Sequence, residues 1–257
     1  MRRAAELLAA TLLVATPLSA QEAGTPKPAD PLPAAAEQAQ RQLRQTFTNL
    51  QFEDFGPSPV KGPVYQAVAG GRVLYFAPDS GHLLFAAIYD RNGVNLTALA
   101  QDESARKRLG AIDPKQALVI GAPSAQQVIE FTDPDCPYCQ ALERFWIAKA
   151  AEGKPVQRLV YFVSGIHPEA AAKAEHILCS PDPQAAFAAL YAGQRPATLL
   201  KCPAGAAKVA ADARTVKAMG ISGTPTLFVE GKLVNGFQQA ELEAFLANPA
   251  KADHAKP

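Results

Sequence analysis

A pair of cysteines separated by two residues constrains this chain more than any other feature. Cys136 and Cys139 follow an apolar β-run at 128–132 and begin a helical segment that is broken at Gly153 and Pro155. The first sulfur then lies at the helix N-terminus, where unpaired N–H groups and the helix dipole favour a thiolate. We therefore predict that Cys136 attacks a disulfide and that Cys139, one turn further in, resolves the mixed disulfide.

The residues around this pair leave two other interpretations open. Pro137 suits the first helical position, and Tyr138, between the cysteines, is predicted to face solvent. The pair alone would also fit a structural disulfide or half of a zinc site. A zinc site usually needs a second close pair of ligands, and the remaining cysteines, Cys179 and Cys202, stand far apart in the sequence. The pattern favours redox chemistry that needs no metal and no organic cofactor.

The N-terminus indicates the compartment. Arg2 and Arg3 precede an apolar run at 7–15, and small residues around Ala20 offer a cleavage site, so 1–20 is predicted to be a secretory signal peptide. The alternatives are a buried helix or a membrane anchor, but the run is too short to span a bilayer. We expect a soluble mature protein in the oxidising periplasm of a Gram-negative envelope.

Charge and composition exclude several classes of protein. Lys and Arg number 25 against 24 Asp and Glu, which gives no electrostatic reason to expect binding to nucleic acid or to an acidic membrane surface. Hydrophobic residues make up 48%, enough for a packed core and too many for a largely disordered chain.

Upstream of the cysteine pair the sequence predicts a small separate unit. Residues 46–97 hold three predicted strands joined by tight turns, the last at 82–89, and so thin a core predicts dimerisation or packing on a neighbour. A flexible Pro- and Ala-rich segment that ends in a short helix, 21–45, precedes this unit. A charged linker helix, 98–116, follows it, with Thr97 as the predicted N-cap and few apolar positions, which is typical of a solvated connector.

Residues 117–250 follow a different pattern. Their order is β-α-β, a helical insertion and then β-β-α, and a polar tail at 251–257 ends the chain. The segment 128–139 and Gly223-Thr224-Pro225 resemble the thioredoxin fold and, more closely, the DsbC/DsbG family of periplasmic thiol:disulfide interchange proteins. The resemblance implies an α+β or α/β protein, with a thioredoxin-like catalytic domain behind a β-rich, cystatin-like dimerisation domain and a linker helix.

The resemblance also implies roles for residues outside the cysteine pair. Thr224 and Pro225 match the loop in which this fold holds a cis-proline beside the reactive sulfur and pairs its backbone with an extended client. Cys179 and Cys202 resemble the structural disulfide of DsbC, whereas the Cys-Pro-Tyr-Cys motif at 136–139 is the DsbG-like version. The sequence therefore mixes features of both branches of the family.

Two acids and the histidines carry weaker signals. Glu130 occupies a position where many thioredoxin-fold proteins bury an acid that assists proton transfer to the second cysteine, although the closest relatives often carry an apolar residue there. Asp135 would oppose thiolate formation at Cys136, and we favour the alternative that it is a solvated loop acid. We expect solvated or structural roles for all histidines, including His167, which lies on a loop that could approach the active site.

The combined prediction is a homodimeric periplasmic disulfide isomerase or reductase. Its clients are misfolded proteins with wrong disulfides, and the resemblance implies a membrane thiol reductase of the DsbD kind as electron donor. Two alternatives remain: a DsbG-like reductase of sulfenylated cysteines, and a dimeric holdase that binds unfolded clients without redox chemistry. No nucleic acid or metal is expected as a partner.

Overall fold

The computed structural model of the protein describes residues 33–123 and 125–247. The predicted signal peptide, the stretch 21–32 and the predicted tail lie outside the described residues. Within the two described ranges, none of the helices has the length and apolar character needed to cross a membrane.

The N-terminal unit contains an antiparallel sheet with one more strand than the sequence predicted. Its strands run in the order β1-β2-β3-β4 and comprise β1 (Phe52–Pro57), β2 (Tyr65–Ala69), β3 (Arg72–Ala77) and β4 (His82–Leu84). The pairing of β1 with β2 is irregular between Glu53 and Gly56, so the alternation of apolar and polar residues that marks a strand is missing there. The predicted strand at 82–89 is shorter than expected and ends at Leu84.

Helix α1 (Ala34–Thr46) packs on this sheet. The sequence predicted a short helix at the end of the segment 21–45, and Ala36, Ala39 and Leu43 of this helix are buried. Ala39 and Leu43 share a core cluster with residues of the strands, including Phe76. The spacing of the three residues gives one apolar face, which is hard to recognise in a helix so rich in alanine. The helix therefore forms part of the N-terminal unit.

The C-terminal unit is built on a mixed sheet. Its strand order is β5-β7-β6-β8-β9, and only β6 and β7 are parallel. The strands are β5 (Leu118–Ile120), β6 (Gln126–Thr132), β7 (Val156–Phe162), β8 (Thr226–Val229) and β9 (Lys232–Asn235). Helix α3 (Pro137–Ala151) connects β6 to β7, as a crossover between parallel strands requires.

Helices cover both faces of this sheet. Side chains of α3 and of the last helix, α7 (Gln239–Ala247), share a core cluster with one face of the strands. The insertion between β7 and β8 comprises α4 (Ala170–Cys179), α5 (Pro183–Tyr191) and α6 (Pro203–Met219). Residues of α4 and α5 surround Cys136, Cys139 and Val160, whereas Met219 of α6 packs against the opposite face beside Tyr161.

The linker helix, α2 (Leu96–Arg108), differs from the predicted solvated connector. Asn95, rather than Thr97, is its N-cap and accepts the Ala98 N–H at 3.0 Å. The Thr97 hydroxyl is buried and lies 2.6 Å from the Tyr75 hydroxyl. Thr97 therefore belongs to the core of the N-terminal unit. Two short 3-10 turns follow α2, at Leu109–Ala111 and Pro114–Gln116.

Polar side chains on α2 dock the helix onto the C-terminal unit. The Asp102 carboxylate accepts the Leu233 N–H at 3.1 Å, and the Arg108 guanidinium donates to the Met219 carbonyl at 3.1 Å. Ala105 is buried in the same cluster as Met219. Most of these contacts are hydrogen bonds to backbone groups. The helix can therefore dock without a broad apolar face.

Candidate active site

The two cysteines lie at the carboxyl end of β6, where the chain turns into α3. Cys136 is the residue that precedes the helix, its N–H donates to the Asp133 carbonyl at 3.1 Å, and Pro137 occupies the first helical position. Proline needs no hydrogen-bond partner there and its fixed φ suits the helix start. Cys136 is 5% exposed and Cys139 is fully buried, and both are thiols in this structure.

The surroundings shift the pKa values of the two thiols in opposite directions. Hydrogen bonding with the Cys139 side chain, more than any other contact, lowers the pKa of Cys136 to about 5, and the backbone N–H groups of Tyr138 and Cys139 add to this against the effect of burial. Burial raises the pKa of Cys139 far above its usual range, and Cys136 adds to the rise. One sulfur is therefore a thiolate at neutral pH while the other holds its proton.

The loop before β8 lies against the outer sulfur. The Thr224–Pro225 peptide bond is cis, and the Cys136 thiol lies 3.4 Å from the Thr224 carbonyl oxygen, to which it can donate when protonated. The Thr226 hydroxyl donates to the Gly223 carbonyl at 2.8 Å and holds the turn. The backbone of Thr224 is thus beside the sulfur, where an extended client segment would pass.

Each of the two acids near Cys136 has a basic side chain as its partner. Asp133 is fully buried, and its Oδ2 lies 2.9 Å from Nδ1 of His167. Asp135, which the sequence favoured as a solvated acid, is half-buried and forms an ion pair with Lys173 of α4. The loop after β7, which the sequence indicated could approach the active site, brings His167 onto the active-site turn. A sequence pattern cannot predict this contact, which joins residues far apart in the chain.

Glu130 lies inside the sheet behind the cysteines. Its Oε2 accepts the Trp146 indole N–H at 3.2 Å and lies 3.6 Å from Nη1 of Arg158, which also pairs with Glu143. Burial raises the pKa of Glu130, and the Arg158 charge opposes the rise. The burial of Phe145 and Trp146 agrees with the core role that the residue types indicate.

A hydroxyl network connects Glu130 with the inner cysteine. The Thr132 side chain lowers the pKa of both Glu130 and Cys139, which places its hydroxyl close to both groups. The Tyr191 hydroxyl donates to Thr132 Oγ1 at 2.9 Å. The sequence did not indicate Thr132, Tyr191 or Arg158 as members of the site. Arg158 gave one signal, since a charge within a buried strand requires a buried partner.

The remaining cysteines are bonded to each other within the insertion. Cys179 ends α4, Cys202 is the N-cap of α6, and their Cα atoms are 5.8 Å apart. A Cβ on Gly205 would lie 2.4 Å from the Cys179 sulfur, so α6 approaches the disulfide closely because that position has no side chain.

The rim of the site is partly apolar. Tyr138, between the two cysteines, is 67% exposed, and Ile166, next to His167, is 46% exposed. A low-pKa sulfur, a protonated partner behind it and a backbone edge beside it are the parts that thiol–disulfide exchange requires.

Both units of the chain match known protein families. A family model described as the disulfide bond isomerase protein N-terminal domain matches residues 29–98, and a model described as a thioredoxin-like domain matches residues 114–248. The chain is 32% identical over 205 residues to the thiol:disulfide interchange protein DsbC of Dickeya dadantii, covering 76% of this chain and 81% of that protein.

Two further relatives extend the comparison. The identity to the thiol:disulfide interchange protein DsbG of Pseudomonas aeruginosa is 26% over 227 residues, covering 82% of this chain and 86% of that protein. The crystal structure of a disulfide interchange protein from Neisseria gonorrhoeae aligns with a TM-score of 0.44 at 27% identity, covering 53% of this chain and 96% of that one.

Proposed function

The chain belongs to the family of DsbC and DsbG thiol:disulfide interchange proteins, and from this premise we propose that it isomerises and reduces wrong disulfides in secreted proteins. In this proposal Cys136 is the nucleophile and Cys139 the resolving thiol. Pro137, Tyr138, Thr224 and Pro225 shape the site, and Glu130 assists proton transfer.

The observation that carries the proposal is the unequal acidity of two adjacent thiols. With a pKa of about 5, Cys136 is ionised at neutral pH, and it is also a good leaving group from a mixed disulfide. Cys139 is buried and protonated, so it does not compete for the client. This asymmetry supports release of the client by its own thiols, which isomerisation requires, as well as release by Cys139.

The proposed reaction has two steps, attack on the client disulfide and release of the mixed disulfide. The Cys136 thiolate attacks one sulfur of a client disulfide, a new sulfur–sulfur bond forms, and the other client sulfur leaves as a thiolate that takes a proton from water. Either a client thiolate then attacks the mixed disulfide and restores the Cys136 thiolate, or Cys139 loses its proton, attacks Cys136 and releases a reduced client. Only the second route oxidises the enzyme.

Client binding draws on the Thr224 backbone and the apolar rim. An extended client segment that pairs with Thr224 would present its disulfide to Cys136. Tyr138 and Ile166 offer exposed apolar contacts to unfolded segments. These contacts are independent of client sequence, which suits a protein that acts on many misfolded substrates.

The proposal includes a homodimer in the periplasm that is kept reduced by a membrane thiol reductase of the DsbD kind. The sheet of the N-terminal unit ends at β4, and Phe85 and Tyr89 next to this edge are 69% and 60% exposed. An open strand edge beside exposed aromatic side chains favours pairing with a second copy.

A second candidate function is the reduction of sulfenylated cysteines, which the DsbG-like Cys-Pro-Tyr-Cys motif and the match to DsbG favour. There, Cys136 attacks the sulfur of a sulfenic acid, hydroxide leaves and is protonated to water, and Cys139 then releases the client as a thiol. This route always consumes both enzyme thiols, whereas isomerisation consumes neither.

Reactivation of a scrambled multi-disulfide protein in a mildly reducing thiol buffer tests the proposal. We expect the mature protein to restore activity, the Cys136→Ser variant to be inactive, and the Cys139→Ser variant to retain part of the isomerase activity. Failure of a folded, reduced wild-type protein would contradict the isomerase assignment. Reduction of a sulfenylated model peptide by that same protein would then favour the second candidate, and suppression of aggregation by a variant lacking both thiols would indicate a holdase.

A further inference from the structure

We infer that His167 is a positioning residue for the reactive thiol: as an imidazolium it neutralises Asp133, the buried carboxylate in the turn before Cys136, and so keeps that cysteine ionised. The inference rests on the proposed function in one respect, since it takes Cys136 as the attacking thiol. It assigns a role to a histidine that neither the motif nor the proposed chemistry uses.

Asp133 lies within the turn that carries Cys136. Its backbone carbonyl accepts the Cys136 N–H at 3.1 Å, and its Oδ1 accepts the Asp135 N–H at 2.8 Å. Its side chain is fully buried. The carboxylate is therefore fixed within the turn that carries the sulfur, in a region where charges are poorly screened. Without a countercharge it would repel a thiolate at Cys136 and favour the neutral thiol.

The two acids beside Cys136 have basic partners of different types. Two carboxylates flank Cys136, and each faces one cation in the part of the chain that the structure describes. Lys173 serves Asp135 and also lies 2.8 Å from Glu169, and a lysine stays charged throughout the neutral range. Asp133 instead faces His167, the one type of side chain whose charge changes near neutral pH. Of the two countercharges, the one that faces Asp133 is thus the one that can be lost.

The His167 side chain has access to solvent. The His167 side chain is 35% exposed, so it can exchange protons with water while its Nδ1 stays on the buried acid. The charged groups around it are Asp133, Asp135 and the Cys136 sulfur on the active-site turn, together with Lys173, which pairs with Asp135 and Glu169. The hydrogen bond with Asp133 raises the pKa of His167, and the negative charges at Cys136 and Asp135 add to the rise.

The consequence is a reciprocal coupling. A protonated His167 favours the Cys136 thiolate, and the thiolate favours a protonated His167 by the same amount. When pH rises above the pKa of His167, Asp133 loses its countercharge and the thiolate becomes a poorer leaving group. The enzyme then shifts from an oxidising towards a more reducing poise.

A charge-swap series tests the inference. The fraction of ionised Cys136 is followed by thiolate absorbance between pH 3 and 8 in the mature protein, with the active-site pair reduced and Cys179–Cys202 intact. His167→Gln keeps a hydrogen-bond donor without charge, and we expect it to raise the Cys136 pKa by about 0.5–1 unit, so that the ionised fraction at pH 5 falls roughly two- to five-fold. His167→Lys restores a charge and should return the titration to the wild-type position. His82→Gln, in the N-terminal unit, is the matched control and should have no effect.

A wild-type Cys136 that titrates near 8.5 in this experiment contradicts the proposed function itself. A low wild-type value that His167→Gln leaves unchanged, or that the Gln and Lys variants raise equally, overturns only the role of His167.

A second measurement needs no substitution of the histidine. The His167 imidazole is titrated by NMR in the reduced wild-type protein and in Cys136→Ser, where the thiolate is absent. We expect the His167 pKa to be lower in Cys136→Ser by the same 0.5–1 unit, roughly, because the coupling is reciprocal. Equal His167 titrations in the two proteins would overturn the inference even if every His167 variant failed to fold.

Discussion

Glu130 and Arg158 face each other across the two parallel strands of the catalytic sheet, with Oε2 of the acid 3.6 Å from Nη1 of the base. Arg158 also pairs with Glu143, through Nη2 and Oε1 at 3.2 Å, so two buried carboxylates share one cation. That ratio leaves a negative charge uncompensated unless one acid takes up a proton. Glu130, whose pKa is raised by burial, is therefore suited to accept a proton from the Cys139 side of the site.

We predict that Glu130→Gln slows the release of a mixed disulfide by Cys139. The variant keeps the shape of the side chain but cannot accept a proton, and a general base typically contributes at least 10²-fold. The resolution step should therefore slow by roughly 10²-fold. Attack by Cys136 on a client disulfide should change little, so the mixed disulfide accumulates in rapid-quench samples. Equal slowing of both steps would indicate a structural role instead.

The Thr132 hydroxyl provides the matched test of the same route. Thr132→Val removes the hydroxyl that lowers the pKa of both Glu130 and Cys139, whereas Thr132→Ser keeps it. We expect the Val variant to show the resolution defect and the Ser variant to resemble the wild type. Similar kinetics in both variants would rule out Thr132 as a proton carrier.

The Cys136 thiolate should make the reduced protein more stable than the oxidised one in a pH-dependent way. The folded pKa of about 5 lies below the ordinary thiol value, so this stabilisation is fully present above the unfolded pKa, about 8.5, and is lost as pH falls through 5. Urea unfolding of the reduced and oxidised forms should give a difference that grows from pH 5 to pH 8. Cys136→Ser cannot form the active-site disulfide, so the control is its stability alone under the same reducing conditions, which should lack this rise with pH. A constant difference in the wild type would contradict a low Cys136 pKa.

The sequence was informative where chemistry and structure are local. The Cys136–Cys139 pair, its helix and the following strand lie within one stretch of chain, and motif spacing with apolar runs was enough to predict them. The partners of the site were not predictable because they come from other strands and helices. Arg158 reaches Glu130 only because β7 pairs with β6, and Tyr191 reaches Thr132 from the helical insertion.

The linker helix shows a second reason why prediction failed. A helix is expected to dock through an apolar face, but α2 docks largely through Asp102 and Arg108, whose side chains bind backbone groups of the catalytic domain. Such contacts leave no periodic signal, since the partner of each side chain is a peptide group rather than another side chain. The same charged residues therefore indicated a solvated helix.

The Cys179–Cys202 disulfide should contribute to stability and not to turnover. The bond closes a loop with a sequence separation of 23. Chain entropy for a loop of that size predicts that Cys179→Ala with Cys202→Ala lowers the free energy of unfolding by about 3.5 kcal/mol. Denaturant titration measures the loss, and disulfide isomerisation at a temperature where the variant stays folded should match the wild type. Loss of turnover in a folded variant would instead indicate a second redox centre.

A charge at the exposed edge of the N-terminal sheet should separate the copies of a dimer. Phe85→Glu places a carboxylate next to β4, where a 69% exposed aromatic ring offers an apolar contact. We expect the apparent mass by light scattering to halve while cysteine reactivity is unchanged. Ile147→Glu, at a 55% exposed position on α3, is the matched control and should leave the mass unaltered. A Phe85→Glu protein that stays dimeric would place the interface elsewhere.

Adjacent glycines in the β2–β3 turn allow a sharp test of how the N-terminal unit docks on the catalytic domain. Gly70 and Gly71 both have positive φ, 54° and 76°, but only a Cβ on Gly71 would meet another segment, the Gly220 carbonyl oxygen at 2.0 Å. Gly70→Ala should cost about 1 kcal/mol, because the left-handed conformation disfavours alanine. Gly71→Ala should cost that amount and, as an overpacked backbone contact, about 1–3 kcal/mol more. Thermal unfolding measures both costs, and hydrogen exchange at the α6 C-terminus should accelerate only in Gly71→Ala. Equal losses in the two variants would mean that the turn and α6 are not in contact in solution, because the strain of positive φ is common to both substitutions and only the steric clash differs.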